Sequence, residues 1–276
     1  LEESLDLCAS VFFASALTLI LGAHGIMSVT AGHPLISTRV VRETGLPIVG
    51  KTPMHAVARS LEPLGRVLVG LGVTANAVTV SSLVIAAAAA VAFALGQFGV
   101  AAVLASLASL ADGLDGLVAR LSRTESAFGR VLDTMIDRYV DALFLGGIAI
   151  HVRANVLLLS TVLAAIVGSF AVSYASSVER ELGVASSPSV MRRAHRLTYL
   201  IVASAIAPLL AGALHDARFG LVSVFLAVLA IAVGGNVSAV RRLLTAARAA
   251  PAVGANVEPE PDATEPGYDL ASGSGR

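Results

Sequence analysis

Eight residues between Asp112 and Asp137 could do chemistry in a chain that is otherwise oily. The stretch DGLDGLVARLSRTESAFGRVLDTMID holds Asp112, Asp115, Gly116, Ala119 and Arg120, then Gly129, Asp133 and Asp137. At about 100° per residue, Asp112, Asp115, Gly116 and Ala119 fall within one arc of about 100° on a helix. Gly129, Asp133 and Asp137 are spaced by four and form a stripe on the next helix. The short link LSRTESAF makes the two helices antiparallel neighbours, so both stripes face one pocket. Four carboxylates in one pocket repel each other and take up protons unless a positive charge joins them. Oxygen ligands suit a hard divalent cation such as magnesium, calcium or manganese. With no histidine or cysteine among them, zinc is disfavoured. Four carboxylates can hold two ions, the arrangement used for in-line displacement at phosphorus. Gly116, Ala119 and Gly129 leave room for a ligand or let helices approach closely, and Arg120 offers a planar fork to a phosphate.

Blander readings stand beside this one. The aspartates could form a structural polar network, although ionisable groups inside a membrane protein default to function. Arg120 alone could be a topology anchor. Asp141, one turn beyond Asp137, reads as a pairing residue, and Arg130 and Arg138 as partners of carboxylates or as snorkelling side chains.

The elements that must position these groups are membrane helices. The chain has 276 residues, 56% apolar and 14% charged, without tryptophan, against roughly 25% charged in an average soluble domain. Runs such as AVTVSSLVIAAAAAVAFALG match the ~20 residues needed to cross a bilayer, and they lack the ten-residue alternation of an outer-membrane barrel. The fold class expected is all-α, a polytopic bundle of six transmembrane helices at about 77–95, 98–119, 128–150, 154–176, 197–214 and 218–240. Residues 53–71 read as an N-terminal interfacial helix, with Arg59, Glu62 and Arg66 at helical spacing, and Pro63 argues against one straight helix.

Three segments follow from this. Residues 1–52 combine an apolar stretch, which could be an extra span or the remnant of an upstream domain, with a basic Gly/Pro-punctuated linker. Residues 53–245 form the membrane domain, and 246–276 a disordered cytoplasmic tail rich in Pro, Glu, Gly and Ser. Arginines 39, 42, 59, 66, 120, 123, 180, 192, 193, 196, 241, 242 and 248, with Lys51, fall on one side, and only Arg153 and Arg218 on the other. The rich side is the cytoplasmic one, which places the aspartates at the cytoplasmic edge of the inner membrane. The zero net charge gives no reason to expect nucleic acid, and the single Cys8 excludes an internal disulfide.

The pattern D-x-x-D-G-x-x-A-R-x8-G-x3-D-x3-D, met without a gap from Asp112 to Asp137, resembles the signature of the CDP-alcohol phosphotransferases, integral-membrane enzymes of phospholipid head-group synthesis. The resemblance extends more loosely over residues 53–245. It implies transfer of a substituted phosphoryl group from a CDP-linked donor, usually CDP-diacylglycerol, to an alcohol, with release of CMP, by a homodimer using two Mg²⁺ or Mn²⁺ ions. It further implies Asp112, Asp115, Asp133 and Asp137 as metal ligands, with Asp137 also the base that deprotonates the acceptor hydroxyl. Gly116, Ala119 and Gly129 would line the nucleotide pocket and Arg120 lie near the diphosphate. Upstream, VTANAVT is similar to the family's Thr-Pro-Asn-x-x-Thr element, which the resemblance implies would contribute to the nucleotide pocket: Thr74, Asn76 and Thr79 are kept, while Ala75 stands where proline is usual. The plain alternative there is a helix N-cap by Thr74 or Asn76.

The loop ERELGVASSPSVMRRAHR holds Arg192, Arg193 and Arg196, with Arg192 and Arg196 one turn apart. One reading is a clamp for an acceptor that carries its own phosphate, inositol phosphate ahead of glycerol 3-phosphate; the loop is somewhat similar to that of phosphatidylinositol-phosphate synthases. The other is a basic loop that meets anionic lipid. His195 sits among these arginines, and the remaining histidines are scattered. Three rivals remain open at this point. One is a transferase with a soluble CDP-alcohol donor. Another is a cation transporter using the aspartates, which predicts acidic groups near mid-membrane and a path out on the far side. The third is a noncatalytic scaffold.

Overall fold

The computed structural model describes residues 4–15, 51–181 and 191–254, with side chains for all but 51–60 and 249–254. Expectations for the first linker, for residues 182–190 and for the tail beyond residue 254 lie outside the described residues. Eight helices are described: α1 (Ser4–Ser15), α2 (Lys51–Gly70), α3 (Ala75–Leu95), α4 (Phe98–Ser122), α5 (Ala127–His151), α6 (Val156–Glu181), α7 (Arg193–Leu214) and α8 (Ala217–Gly254). Five of them, α3, α4, α6, α7 and α8, are long and apolar enough to cross a membrane. With 25 residues, α5 is as long as α4, but Arg130, Asp133, Asp137, Arg138 and Asp141 break the apolar character of its N-terminal part.

Local chemistry sets the helix ends that matter for the site. Thr74 caps α3 by accepting from the Ala77 N–H at 3.3 Å, and Ser126 caps α5 by accepting from the Gly129 N–H at 2.9 Å. Gly96 (φ 78°) ends α3 in the left-handed conformation that glycine adopts without steric cost. Pro63 does not break α2, which runs through it from Lys51 to Gly70. Proline removes one backbone donor, and a single lost bond is tolerated where the rest of the helix is packed. At the far end of the chain α8 continues to Gly254, so residues 246–254 are helical and do not belong to the expected tail.

The six longest helices close into a ring in the order α3, α4, α7, α8, α6, α5 and back to α3, with α2 laid against α4. As expected of antiparallel neighbours, α4 and α5 bring their polar stripes to one place, but each makes its main packing contacts with α3, and a cavity lies between them. Small residues allow the α3 contacts: Ala86, Ala89, Ala101, Ala105 and Ala108 are fully or almost fully buried, and Gly147 of α5 lies against the Ala90 carbonyl with no room for a Cβ. Phe93 fills the middle of this seam, 5.9 Å from Phe144 between ring centres. Polar side chains tie the other half of the ring: Asn236 of α8 donates to the Ala164 carbonyl of α6 at 2.9 Å, and Ser223 to the Ala203 carbonyl at 3.0 Å. Helix α1 docks at the end of the ring remote from Asp112 and Asp115, where Asp6 Oδ1 accepts the Val100 N–H of the first turn of α4 at 2.9 Å.

Candidate active site

With α4 and α5 both packed on α3, their polar stripes face one another across a gap. Asp112, Asp133 and Asp137 each offer an oxygen, and the three oxygens lie within 4.8 Å of one another. Asp112 Oδ1 and Asp137 Oδ1 are buried and accept no hydrogen bond. Arg193 Nη1 reaches Asp112 Oδ2 at 2.9 Å in a hydrogen bond; it is also 2.7 Å from Asp137 Oδ1, an ion pair outside hydrogen-bond geometry. Buried carboxylate oxygens with free lone pairs, in a set made of oxygen alone, are what a hard divalent cation accepts. The residues therefore fit magnesium or manganese. Asp115, the fourth expected ligand, stands beside this cluster. Its Oδ2 accepts from the Thr79 hydroxyl at 2.6 Å and its Oδ1 from the Gly116 N–H.

On one side of the cluster lies a cavity of about 210 Å³, lined by Asn76, Thr79, Asp115, Gly116, Ala119, Arg120, Gly129 and Asp133, with Ala75, Thr124, Glu125, Ser126 and Arg130. Every residue that the sequence pattern assigned to a nucleotide pocket lines it, except Thr74. That residue serves as the α3 cap and lines a neighbouring cavity with Val73 and Ser122. The small residues have distinct reasons. A Cβ on Gly116 would meet nothing closer than Arg120 Nη1 at 3.5 Å, so its absence is space inside the cavity; one on Gly129 would press on Ser126 Oγ at 3.1 Å, the capping atom itself.

On the other side is a second cavity of about 280 Å³, whose wall holds Asp137 together with Arg138, Arg180, Arg192, Arg193, Arg196 and Arg242, and the hydroxyls of Ser173 and Ser176. The three arginines of the sequence-predicted clamp are all present, in different circumstances. Arg192 is exposed at the start of α7. Arg193 bridges to the aspartate cluster. Arg196 is buried and donates to Asp141 Oδ2 at 2.7 Å, which makes Asp141 a pairing residue as its position suggested. Arg138 lies 3.6 Å from Asp137 Oδ2. Sequence reasoning missed Arg180, Arg242, Ser173 and Ser176 as parts of one surface. Their only signal is a cation or hydroxyl near the same end of two later spans, which also describes any basic loop.

Asp133 and Asp137 are one turn apart on one face of α5, and each lines a different cavity. The aspartate cluster thus lies where the two cavities adjoin.

The profile of the CDP-alcohol phosphatidyltransferase family matches residues 72–239. The archaetidylinositol phosphate synthase of Pyrococcus horikoshii is 34% identical over 152 residues, 54% of this chain and 78% of that protein. Among solved structures, a Mycobacterium tuberculosis phosphatidylinositol phosphate synthase with CDP-DAG bound is similar in fold, with a TM-score of 0.60 at 24% identity over 68% of this chain and 93% of that one. The same Mycobacterium tuberculosis protein in complex with manganese and citrate gives a TM-score of 0.59 at 24% identity, over 66% of this chain and 87% of that one. The family is one of enzymes, which displaces the transporter and scaffold readings. With the aspartate pattern intact and both cavities in place, the chain belongs to the CDP-alcohol phosphatidyltransferase family.

Proposed function

We propose that the protein transfers a phosphatidyl group from CDP-diacylglycerol to the hydroxyl of a small phosphorylated polyol, inositol phosphate ahead of glycerol 3-phosphate, and releases CMP. The observation that carries this reading is the position of Asp137, which belongs to the aspartate cluster and also to the wall of the arginine-lined cavity. A group placed there can take the proton of an acceptor hydroxyl while the acceptor's own phosphate is held by arginines. The donor's cytidine and diphosphate would occupy the cavity of Asn76, Gly116, Ala119, Arg120 and Gly129. Thr79, by donating to Asp115, holds that carboxylate toward the cluster. Asp112, Asp133 and Asp137, with Asp115 adjoining, would hold two Mg²⁺ or Mn²⁺ ions, whose chemistry is charge neutralisation of the diphosphate and of the leaving CMP. The manganese complex and the bound CDP-DAG named for the Mycobacterium tuberculosis structures support the metal and the donor.

The same reading takes α3 to α8 as six spans, α2 as an interfacial helix and residues 53–245 as the functional membrane domain. The active site would face the cytoplasm of the inner membrane. The basic residues at the aspartate end support that orientation, and the family resemblance supports a homodimer. Purified protein should release CMP from CDP-diacylglycerol only with Mg²⁺ or Mn²⁺ and a phosphorylated polyol. Release with unphosphorylated acceptors alone, or from a soluble CDP-alcohol in preference to the lipid, overturns the assignment. Orientation has its own probe: Cys8 is exposed and lies at the end remote from the aspartates. A membrane-impermeant maleimide added to intact cells should label it, and labelling only after lysis reverses the sidedness.

A further inference from the structure

A further cavity, of about 790 Å³, is larger than either of those beside the aspartate cluster. Small-molecule sites span about 300–1,000 Å³. It lies at the opposite end of the ring, where the ends of α3, α4, α5, α7 and α8 supply its wall together with α1. Part of that wall is apolar, from Leu95, Phe98, Pro208 and Leu221. The rest carries two imidazoles, His151 and His215, and charges of both signs, Asp6, Asp216 and Arg218. The imidazoles are placed against local preference. His215 is the left-handed C-cap of α7, at φ 55°, a position usually filled by glycine because a Cβ there is crowded. His151 fits only because Gly96, the left-handed cap of α3, has no side chain: a Cβ there would overlap the imidazole ring.

The charges are left for a ligand. Asp6 Oδ1 accepts the Val100 N–H at 2.9 Å, and Asp216 Oδ1 accepts the Arg218 N–H at 2.8 Å. The side chains of Asp216 and Arg218, two residues apart, do not pair with each other, and neither has an ion-pair partner among the described residues. An unpaired cation and an unpaired anion beside an apolar wall complement a zwitterion with an apolar tail. A purely anionic ligand would meet the two carboxylates, and a purely cationic one would meet Arg218. With α3 to α8 read as spans, this end lies at the bilayer surface, and the exposed Leu5 and Phe12 of α1 put apolar side chains beside it.

We infer that this cavity binds the head of a zwitterionic phospholipid, with its phosphate on Arg218 and His215, its ammonium on Asp216, and the start of its tail along Leu95, Phe98 and Leu221. The inference rests on the spans proposed above and not on the reaction. It gives the end of the ring without catalytic groups a lipid that ties its helix ends together.

The test measures lipid binding by native mass spectrometry and thermal unfolding of full-length protein in detergent micelles, without nucleotide or acceptor. Dioleoyl phosphatidylethanolamine should bind about tenfold more tightly than dioleoyl phosphatidylglycerol, the worth of one charge-assisted contact, and should raise the unfolding temperature, as any ligand of the folded state does. Arg218→Gln and Asp216→Asn should each weaken phosphatidylethanolamine binding by about tenfold. Both side chains are exposed, so the lipid-free unfolding temperature of either variant should match wild type. Equal affinity for the two lipids, or unchanged affinity in both variants, means an unselective lipid coat, and the inference fails. O-phosphoethanolamine, the same head without a tail, should bind far more weakly than the lipid. If it binds as tightly, the site takes a soluble zwitterion and the lipid assignment is overturned. Protein that binds phosphatidylethanolamine selectively but releases no CMP from CDP-diacylglycerol would refute the proposed reaction and leave this site standing.

Discussion

The two cavities that adjoin at the aspartate cluster are built in opposite ways. The nucleotide-side cavity takes its wall from three helices adjacent in the ring and consecutive in the chain, α3, α4 and α5, and its key residues lie within one short motif. The arginine-lined cavity collects side chains from four helices, α5, α6, α7 and α8. The first is shaped by what is missing, since glycine and alanine leave its space open. The second is shaped by charge, with arginines oriented by carboxylates behind them. A donor common to a whole family can be served by a contiguous motif, while an acceptor surface assembled from separate helices can be altered one residue at a time. The division of labour predicts that damage to one cavity leaves the substrate of the other unaffected.

The largest effect should come where the two regions meet. Asp137→Asn should lower kcat by about a thousandfold, within the range for loss of a positioned base, and leave the fold and CMP affinity intact. Turnover near wild type would remove Asp137 as the base and separate the cavities functionally. Next, Gly116→Leu puts a side chain into the open space of the nucleotide cavity. Overpacking of this kind is worth about one to two powers of ten in affinity, so the KM for CDP-diacylglycerol should rise by that factor while the acceptor KM holds. A rise in both would show that the two cavities are not separate. A smaller change is expected from Arg192→Ala, at the exposed mouth of the other cavity: the acceptor KM should rise about threefold to fivefold and the donor KM should not move. Arg196 does not serve for this comparison, because removing it strands the buried Asp141 at a cost of about 3–5 kcal/mol. The smallest catalytic effect belongs to Thr74→Ala. The lost helix cap should cost about 1 kcal/mol of stability with no change in either KM, whereas Asn76→Ala, one position into the cavity wall, should raise the donor KM. If Thr74→Ala raises the donor KM as Asn76→Ala does, then Thr74 reaches the nucleotide after all.

Most of the lining of the cavity among α3, α4 and α5 was legible in the sequence, because helical spacing states which residues share a face and the motif runs along two helices joined by a short link. Spacing says nothing about which helices pack, however. It did not show that α4 and α5 each rest on α3 with a cavity between them. The same limit hid the other cavity. Arg180 and Arg242 look like any positive residue at the end of a span, and nothing in VERE marks Glu179 as the partner of an arginine on a helix far along the chain. The ring order that brings α6 against α8 decides that pairing, and it is a tertiary fact. Pro63 does not end α2, since one missing backbone donor is a local penalty that packing of α2 on α4 outweighs. Asp6 was similarly invisible: a carboxylate that caps a helix other than its own leaves no pattern in its neighbourhood.

Helix α8 runs for 38 residues, about 57 Å at 1.5 Å per residue, against a hydrocarbon layer of about 30 Å. About 27 Å of it exceeds that layer, so with the spans proposed above its C-terminal part would stand clear of the lipid as a stiff mast on the face that carries the aspartates. A small, otherwise membrane-embedded enzyme offers few rigid landmarks for particle alignment in electron microscopy, and a soluble marker grafted in helical register onto this mast would supply one, at a distance from both substrates.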